Sequence, residues 1–369
     1  MNALGIPTGV FTRARRAAAA FTALTGVPVD AAELLTGRAA LLGLAPRGRI
    51  SAGGATRLLA GADGWWALTL SRPDDLAAVP AMLEADTVPD DPWPALRAWS
   101  AGVETAAAVA RARLLGLPAA VLGEAAPGPV RVRRIAPRAE RPLAGRLVVD
   151  LTSMWAGPLC GRLLARAGAT VVKVEHPDRP DGTRAGAPAF FDWVNGGKRC
   201  CAYTFDDPEF AGLLAAADVV LEASRPGALE RRGLGPDDAP GPDGRIRVRI
   251  TGHGAAGPAA EWVAFGDDAA VAGGLVAHRG DGPVFCGDAI ADPLTGLHAA
   301  LAVAESVRRG GGELLELTLA GTAAGYAALP DETGAAPADP VAPVVGGRAP
   351  ALGADQDEVR RLVQRRVPC

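Results

Sequence analysis

Residues 146–175 read RLVVDLTSMWAGPLCGRLLARAGATVVKVE, and this stretch decides the fold class. The apolar, β-branched run from Arg146 to Leu151 is typical of a buried strand, and the run from Ala169 to Val174 is typical of a second one. Between them, Gly157 to Ala167 has the composition of a helix. Two strands joined by a helix form a β-α-β unit, so the stretch predicts a parallel pair of strands.

The same alternation continues towards the C-terminus. Further strands are predicted at 200–204, 218–222, 245–251 and 314–319, with helices at 208–216 and 293–309 between them. This pattern predicts an α/β fold, in which a Rossmann-like, mostly parallel sheet carries helices on both faces. In such folds ligands bind at the carboxyl ends of the strands, but the fold alone names no reaction.

The chain before this region has a different texture. Helical segments rich in Ala and Leu surround a strand signal at 64–70, and Pro, Gly and Arg punctuate residues 125–138. We therefore predict four parts. They are a small α+β domain at 1–124, a linker at 125–142, the Rossmann-like domain at 143–330, and an extended tail with a short helix at 331–369.

Composition excludes several classes of protein. With 38 basic and 41 acidic residues, the net charge of -3 gives no reason to expect a nucleic-acid partner. No stretch approaches the roughly 20 apolar residues of a membrane span, so no membrane association is expected. Five cysteines without a C-x-x-C pair, and four histidines without ligand spacing, predict reduced thiols, a cytoplasmic location and no metal site.

One G-x-G-x-x-G occurs, at Gly252 to Gly257, directly after a predicted strand. A dinucleotide-binding loop should continue into a long helix and a second strand that ends in an acid. Here Pro258 follows, and Asp267 and Asp268 lie in no visible strand. A nicotinamide-dependent oxidoreductase is therefore the last of our alternatives.

Two predicted helix starts could carry chemistry. Ala156-Gly157-Pro158 could direct free N–H groups at a phosphate or amide of a ligand, or it could be only a strand-to-helix turn. Asp292, followed by Pro293, has the pattern of an ordinary N-cap and first helical residue. The residues alone leave both interpretations open.

Nine short segments occur in a fixed order between residues 143 and 325. They are 143–152, 156–158, 168–175, Asp181 with Arg184, 195–199, 217–222, 225–231, 254–258 and the segment around Asp292. In this order and spacing the chain resembles the class III CoA transferase family, which also includes the α-methylacyl-CoA racemases.

The resemblance implies transfer of coenzyme A between an acyl-CoA thioester and a carboxylic acid, through a covalent intermediate on Asp292. CoA would be a substrate, and no tightly bound cofactor is expected. The family's organisation implies a homodimer, with the two chains interlaced. The implied CoA contacts are Ser153, Met154, Trp155, Ala156, His176, Ser224, Arg225 and Arg231.

Three positions depart from the family's pattern. The racemases use a His and an Asp as two bases, and the His position is occupied here by Asp267, which disfavours racemisation. The usual Asn before Ser224 is Ala223, and the Arg that often follows the position of Glu175 is His176. An acyl-CoA racemase or isomerase, and a non-catalytic CoA-binding homologue, remain alternatives.

The order of the domains also departs from the family. Residues 60–68 and 115–120 resemble pieces of the family's small domain, which normally follows the sheet domain. Residues 349–355 resemble its C-terminal return. The resemblance therefore implies a permuted order, which is topologically simple when chain termini lie close together.

Overall fold

The computed structural model describes residues 4–239, 241–329 and 339–366. The strands are β1 (Thr56–Ala60), β2 (Trp65–Thr69), β3 (Ala119–Val121), β4 (Arg131–Arg134), β5 (Leu147–Asp150), β6 (Thr170–Glu175), β7 (Arg199–Ala202), β8 (Val219–Glu222), β9 (Ile246–Thr251), β10 (Ala277–Arg279), β11 (Gly282–Val284) and β12 (Glu313–Thr318).

The helices surround these strands. They are α1 (Thr8–Thr25), α2 (Ala31–Leu42), α3 (Pro73–Ala77), α4 (Val79–Leu83), α5 (Trp93–Ser100), α6 (Thr105–Leu114), α7 (Ala156–Arg166), α8 (Pro188–Asn195), α9 (Pro208–Ala216), α10 (Gly227–Glu230), α11 (Gly266–Ala272), α12 (Ala291–Arg308), α13 (Leu319–Ala327) and α14 (Gln356–Gln364). Two short 3-10 helices lie at Gly182–Ala185 and Gly257–Glu261.

The central sheet has seven strands in the order β4-β12-β9-β8-β5-β6-β7, and every neighbouring pair except β4 and β12 is parallel. Side chains alternate between its faces, so Val148 lies in the core on one side, whereas Leu147 and Val149 lie in the core on the other. Residues of α7 and α12 belong to the first core, and residues of α9 and α14 belong to the second. The predicted α/β fold with helices on both faces is confirmed.

The segment predicted as a linker contributes a strand. Arg131–Arg134 pairs antiparallel with β12 at the edge of the sheet, and all four residues are exposed. The pairing provides hydrogen-bond partners for backbone N–H and C=O groups of β12 that would otherwise be unpaired. Charged side chains, such as those of this strand, are typical of edge strands. Arg133 donates to Asp237 at 2.7 Å, which fixes the strand to the loop after α10.

The first two helices pack on the sheet unit. Phe11 and Phe21 of α1 and Leu35 of α2 are fully buried in the core that contains α7 and α12. A separate core, around Trp66, belongs to the three-stranded sheet β1-β2-β3 and helices α4 to α6. The small unit that has its own core therefore contains fewer residues than the predicted domain 1–124, because the apolar faces of α1 and α2 pack against α12. The division into domains and the permuted order stay predictions.

Part of the predicted tail, residues 331–338, lies outside the described residues, as does Cys369. The predicted C-terminal helix is present as α14, which buries Val359 against the sheet. The four described cysteines, Cys160, Cys200, Cys201 and Cys286, are buried and form no disulfide. Within the described ranges, none of the helices combines the length and apolar character needed to cross a bilayer.

Candidate active site

Three adjoining cavities lie at the carboxyl ends of the central strands. The inner cavity has a volume of 210 Å³ and lies between the small unit and the starts of α11 and α12. The central cavity has a volume of 280 Å³ and lies over β5, β8 and β9. The outer cavity has a volume of 270 Å³ and lies beside β6. Met154, Phe265 and Asp292 line both the inner and the central cavity. Ser153 and Ser224 line both the central and the outer cavity. The cavities therefore form one track with Asp292 in the wall between two of them.

Asp292 lies in the first turn of α12, which begins at Ala291. The N-cap residue of this helix is Ile290, whose side chain makes no capping hydrogen bond. The interpretation of Asp292 as an ordinary N-cap is therefore wrong. The backbone N–H groups that favour the ionised Asp292 carboxylate come instead from Ala156 in α7 and Gly266 in α11. Three separate elements thus converge on one carboxylate.

The environment of Asp292 opposes its ionisation. Burial raises the pKa of its carboxyl to about 7, and the negative charge of Asp267 acts in the same direction. Arg38 and the two backbone N–H groups act in the opposite direction. Asp292 therefore changes charge near neutral pH instead of near pH 4.

A close backbone approach brings Gly266 to Asp292. A Cβ at position 266 would overlap the Asp292 Oδ2 atom and the carbonyl oxygen of Ala289. Only glycine allows the first N–H group of α11 to come this near to the carboxylate. Gly157 in α7 also allows a close approach, because a Cβ at this position would overlap the side chain of Thr152.

The backbone beside the site is strained. Outside glycine, positive φ occurs among the described residues at Glu84, Met154 and Ala289, and the last two line the inner cavity, with φ of 71° and 42°. Asp181 accepts a hydrogen bond from the Met154 N–H at 3.2 Å and pairs with the buried Lys173 at 2.8 Å. Such strain persists only when surrounding contacts hold it, and it is concentrated at functional sites.

A second buried cation holds the turn between β5 and α7. Lys198 Nζ donates to Asp150 Oδ2 at 2.8 Å, to the carbonyl of Pro158 at 2.8 Å and to Asn195 at 2.9 Å. Burial opposes ionisation of Asp150, but the charges of Lys198 and Lys173 together hold the pKa of its carboxyl below the ordinary value. This arrangement fixes the start of α7, and with it the Ala156 N–H that faces Asp292.

The inner cavity contains residues that sequence reasoning missed. Arg38 of α2 donates to Asp288 at 2.7 Å and lies over the rings of Trp155 and Phe190, 5.5 and 5.4 Å from their centroids. Burial raises the pKa of Asp288 to about 6, although Arg38 opposes the shift. Arg38 and Asp288 are 250 positions apart, and no local pattern links them.

The small unit reaches the site through a buried chain of hydrogen bonds. Thr56 and Thr69 bond each other at 2.9 Å, and Thr69 donates to Asp268 at 2.9 Å. Asp268 also accepts the Phe265 N–H at 3.0 Å, which holds the turn before Gly266. The available signal in the sequence was the strand predicted at 64–70, which contains Thr69 and does not indicate a binding site.

Asp267 lines the inner cavity together with Asp292. Its carboxylate accepts the backbone N–H of Ala289 at 3.0 Å, and burial raises its pKa. The position that the resemblance assigns to the racemase His thus holds a carboxyl group in the same cavity as Asp292.

Most of the predicted CoA-contact residues lie on the track. Ser153, Met154, Ala156 and Ser224 line the central cavity, Trp155 lines the inner cavity and His176 lines the outer cavity. Arg225 lies in an adjoining pocket, 3.7 Å from Glu261. Arg231 is exposed at the end of α10 and is not among the residues that line the three cavities. Their roles stay predictions.

The glycine-rich loop does not lead into a long helix. Residues 252–257 follow β9, and the five-residue 3-10 helix Gly257–Glu261 comes next. The loop therefore lacks the long helix whose N-terminus holds the pyrophosphate in a dinucleotide site. That NAD does not bind stays a prediction.

The chain is similar to several known CoA-transferases. The model of the family described as CoA-transferase family III matches residues 143–351. The succinyl-CoA–L-malate CoA-transferase beta subunit of Chloroflexus aurantiacus is 36% identical over 45% of this chain and 45% of its own length. The human succinyl-CoA:glutarate CoA-transferase is 35% identical over 43% of this chain and 40% of its own length.

The chain spans about half the length of the curated relatives it matches. A solved structure of a CAIB/BAIF family protein from Brucella suis is 32% identical, with a TM-score of 0.46 over 51% of this chain and 56% of that one. The family match alone covers more than half of the chain and includes Asp292 and the lining residues of the central and outer cavities. The protein belongs to CoA-transferase family III.

Proposed function

We propose that the protein transfers coenzyme A from an acyl-CoA thioester to a carboxylic acid, with Asp292 as the nucleophile. The observation that carries this proposal is the position of the Asp292 carboxylate, in the wall between the central and inner cavities. The names of the relatives, several of which are CoA-transferases, support the same reaction class.

In the first half of the reaction, an Asp292 oxygen attacks the thioester carbonyl carbon. The tetrahedral intermediate collapses by breaking the C–S bond, which gives an acyl-aspartyl anhydride and CoA thiolate. The thiolate then attacks the aspartyl carbonyl carbon, which releases the acyl group as a carboxylate and leaves an aspartyl-CoA thioester. Covalent relay thus divides one difficult transfer into easier steps.

In the second half, the acceptor carboxylate attacks the aspartyl-CoA thioester and expels CoA thiolate, forming a new anhydride. The thiolate attacks the acceptor's carbonyl carbon, which releases the new acyl-CoA and regenerates the Asp292 carboxylate. The N–H groups of Ala156 and Gly266 favour the ionised form of this carboxylate. Fixed donors of this kind lower the barrier most when they face the oxygen on which charge develops.

The track also suggests how CoA lies in the site. We propose that the thioester end occupies the central cavity, beside Ser153 and Ser224, and that the nucleotide end occupies the outer cavity near His176 and Arg179. The acyl group then extends past Asp292 into the inner cavity. Ala223 lines the central cavity where the family pattern has Asn, so its side chain can contact CoA only through apolar surface.

The test is incubation of the wild type with a panel of acyl-CoAs and free acids, followed by mass spectrometry. We expect a new acyl-CoA in solution and, after hydroxylamine trapping, a modified peptide that contains Asp292, because both enzyme-bound intermediates are activated acyl groups. Neither product across the panel, together with tight binding of CoA, would identify a non-catalytic CoA-binding homologue.

An acyl-CoA racemase or isomerase is the second candidate, because Asp267 and Asp292 line the same cavity and could act as two bases. The same incubation in D₂O distinguishes it from transfer. A racemase would exchange the hydrogen next to the thioester carbonyl for deuterium without an acceptor acid, whereas a transferase moves CoA and leaves that hydrogen in place. The homodimer and the cytoplasmic location also stay proposals.

The pH profile should show the titration of Asp292. Because the attacking group is the ionised carboxylate and burial raises its pKa to about 7, kcat/KM should fall as pH decreases through that value. The Asp267→Asn variant removes a neighbouring negative charge, so its inflection should move to lower pH. Rates measured between about pH 5 and 9 provide the check, and a flat wild-type profile would contradict the assignment.

A further inference from the structure

We propose that the acyl group accepted by this protein is apolar, and that acyl groups with a second carboxylate are discriminated against. This inference rests on the proposed function and specifies its substrate class. It is carried by the walls and the charges of the inner cavity, into which the acyl group extends beyond Asp292.

The walls of the inner cavity are mainly apolar. The large apolar part of these walls comes from five separate parts of the chain, and its side chains are Leu42, Ala55, Met154, Trp155, Phe190 and Phe265. Trp155 and Phe190 are in edge contact, with ring centroids 5.4 Å apart, and Trp193 supports both rings from behind. An aromatic wall gains free energy from contact with apolar surface, and its rings carry no positive charge that could pair with a second carboxylate.

Arg38 is the one Lys, Arg or His among the described residues that line this cavity. Its guanidinium pairs with Asp288, whose side chain is fully buried, and covers the faces of Trp155 and Phe190. Arg38 is therefore part of the cavity wall. Because its guanidinium is already paired with a carboxylate, it is not a free cation that could bind a substrate anion.

The balance of charge points the same way. The carboxyl groups of Asp267 and Asp292 line the cavity, and Asp288 pairs with Arg38 at its edge, so three carboxyls share one guanidinium. Burial raises the pKa values of Asp288 and Asp292, and the negative charge of Asp267 acts in the same direction on both. A further carboxylate on the substrate would have to lose its hydration and approach like charges.

This preference would separate the protein from the relatives described above. Their names give succinyl-CoA with malate or glutarate, which are dicarboxylic compounds. Family membership therefore does not carry the acyl specificity, which depends on residues such as Arg38 and Leu42 that lie before the segment matched by the family model.

The test compares two acyl-CoAs of nearly identical shape, 4-methylpentanoyl-CoA and succinyl-CoA. We expect wild-type kcat/KM to be at least about tenfold higher for the branched apolar acyl group. Along the series from butanoyl to hexanoyl, each methylene should add about fourfold. Equal or better use of succinyl-CoA would overturn the proposal.

Binding separates this inference from the proposed reaction. Calorimetry on the Asp292→Asn variant measures affinity without turnover, and Arg38 there still faces Asp267 and Asp288. We expect 4-methylpentanoyl-CoA to bind tighter than CoA, and succinyl-CoA to bind no tighter than CoA. If this order holds while the wild type transfers nothing, the proposed function fails and the acyl preference stands. If transfer occurs but the order is reversed, the acyl preference fails alone.

A single substitution should shift the preference. Leu42 is the last residue of α2, where a basic side chain is compatible with the helix end, and Leu42→Lys adds a cation to the cavity wall. We expect the ratio of kcat/KM values to move towards succinyl-CoA by about tenfold. Leu114→Lys makes the same change at a side chain that is 86% exposed on α6, and it should leave the ratio unchanged. A shift of equal size in both variants would contradict a local effect.

Discussion

The Asp292→Asn variant should lose CoA transfer by at least about 10³-fold, the scale seen when a covalent nucleophile is removed. An amide keeps the size of the side chain but cannot form the acyl anhydride. The variant should fold, bind CoA and give no trapped adduct. Steady-state rates, with mass spectrometry of the intact protein, provide the measurement.

The same variant should be more stable than the wild type at alkaline pH. Burial raises the folded pKa of Asp292 to about 7, whereas an unfolded Asp titrates near about 3.9. The wild type therefore loses stability as pH rises between these two values, and Asn does not. Allowing for solvent in the cavity, we expect a gain of about 1–3 kcal/mol at about pH 8 that disappears near about pH 4. Urea unfolding at several pH values measures it.

Asp207→Asn is the matched control, because Asp207 is a genuine N-cap that accepts the Glu209 N–H at 2.8 Å at the start of α9. Asn caps a helix about as well as Asp, so neither transfer nor its pH dependence should change. Transfer near the wild-type rate in Asp292→Asn, with a substrate that the wild type uses, would require another nucleophile.

The second large effect concerns stability. Lys198→Met should lower the free energy of unfolding by about 3–5 kcal/mol, because it leaves the fully buried Asp150 carboxylate without its charged partner. Asp150 also lies at the turn that leads to Ala156, so we expect weaker CoA binding in any folded fraction. Urea unfolding followed by circular dichroism measures the first effect, and calorimetry measures the second.

Two further variants make this result interpretable. Adding Asp150→Asn to Lys198→Met removes the unpaired charge and should recover part of the stability. Arg133→Met breaks an exposed ion pair with Asp237 and should cost less than about 1 kcal/mol. A loss of similar size in Lys198→Met and Arg133→Met would show that the buried pair contributes no more than an exposed one.

The sequence by itself was sufficient for the fold class and for the candidate nucleophile. The strand from Arg146, the helix from Gly157 and the strand from Ala169 were predictable because hydrophobic periodicity is a local property of the chain. The family's motifs, ordered along residues 143 to 325, led to Asp292 and to six further candidates that line the track. Arg225 and Arg231 lie outside the three cavities, because a motif match carries a residue's identity but not the direction of its side chain.

Tertiary structure alone decided the rest. Whether Asp292 caps its helix depends on which N–H groups reach it, and those come from Ala156 and Gly266, in elements far apart in sequence. The edge strand at Arg131–Arg134 exists because β12 has an edge to be covered, and nothing in those four residues reveals this. Arg38 and Asp288 meet because α1 and α2 pack on α12, and a contact across 250 residues leaves no periodic signal in either segment. The sequence pattern records which side chains must be buried, whereas the folded chain determines which of them share a cavity.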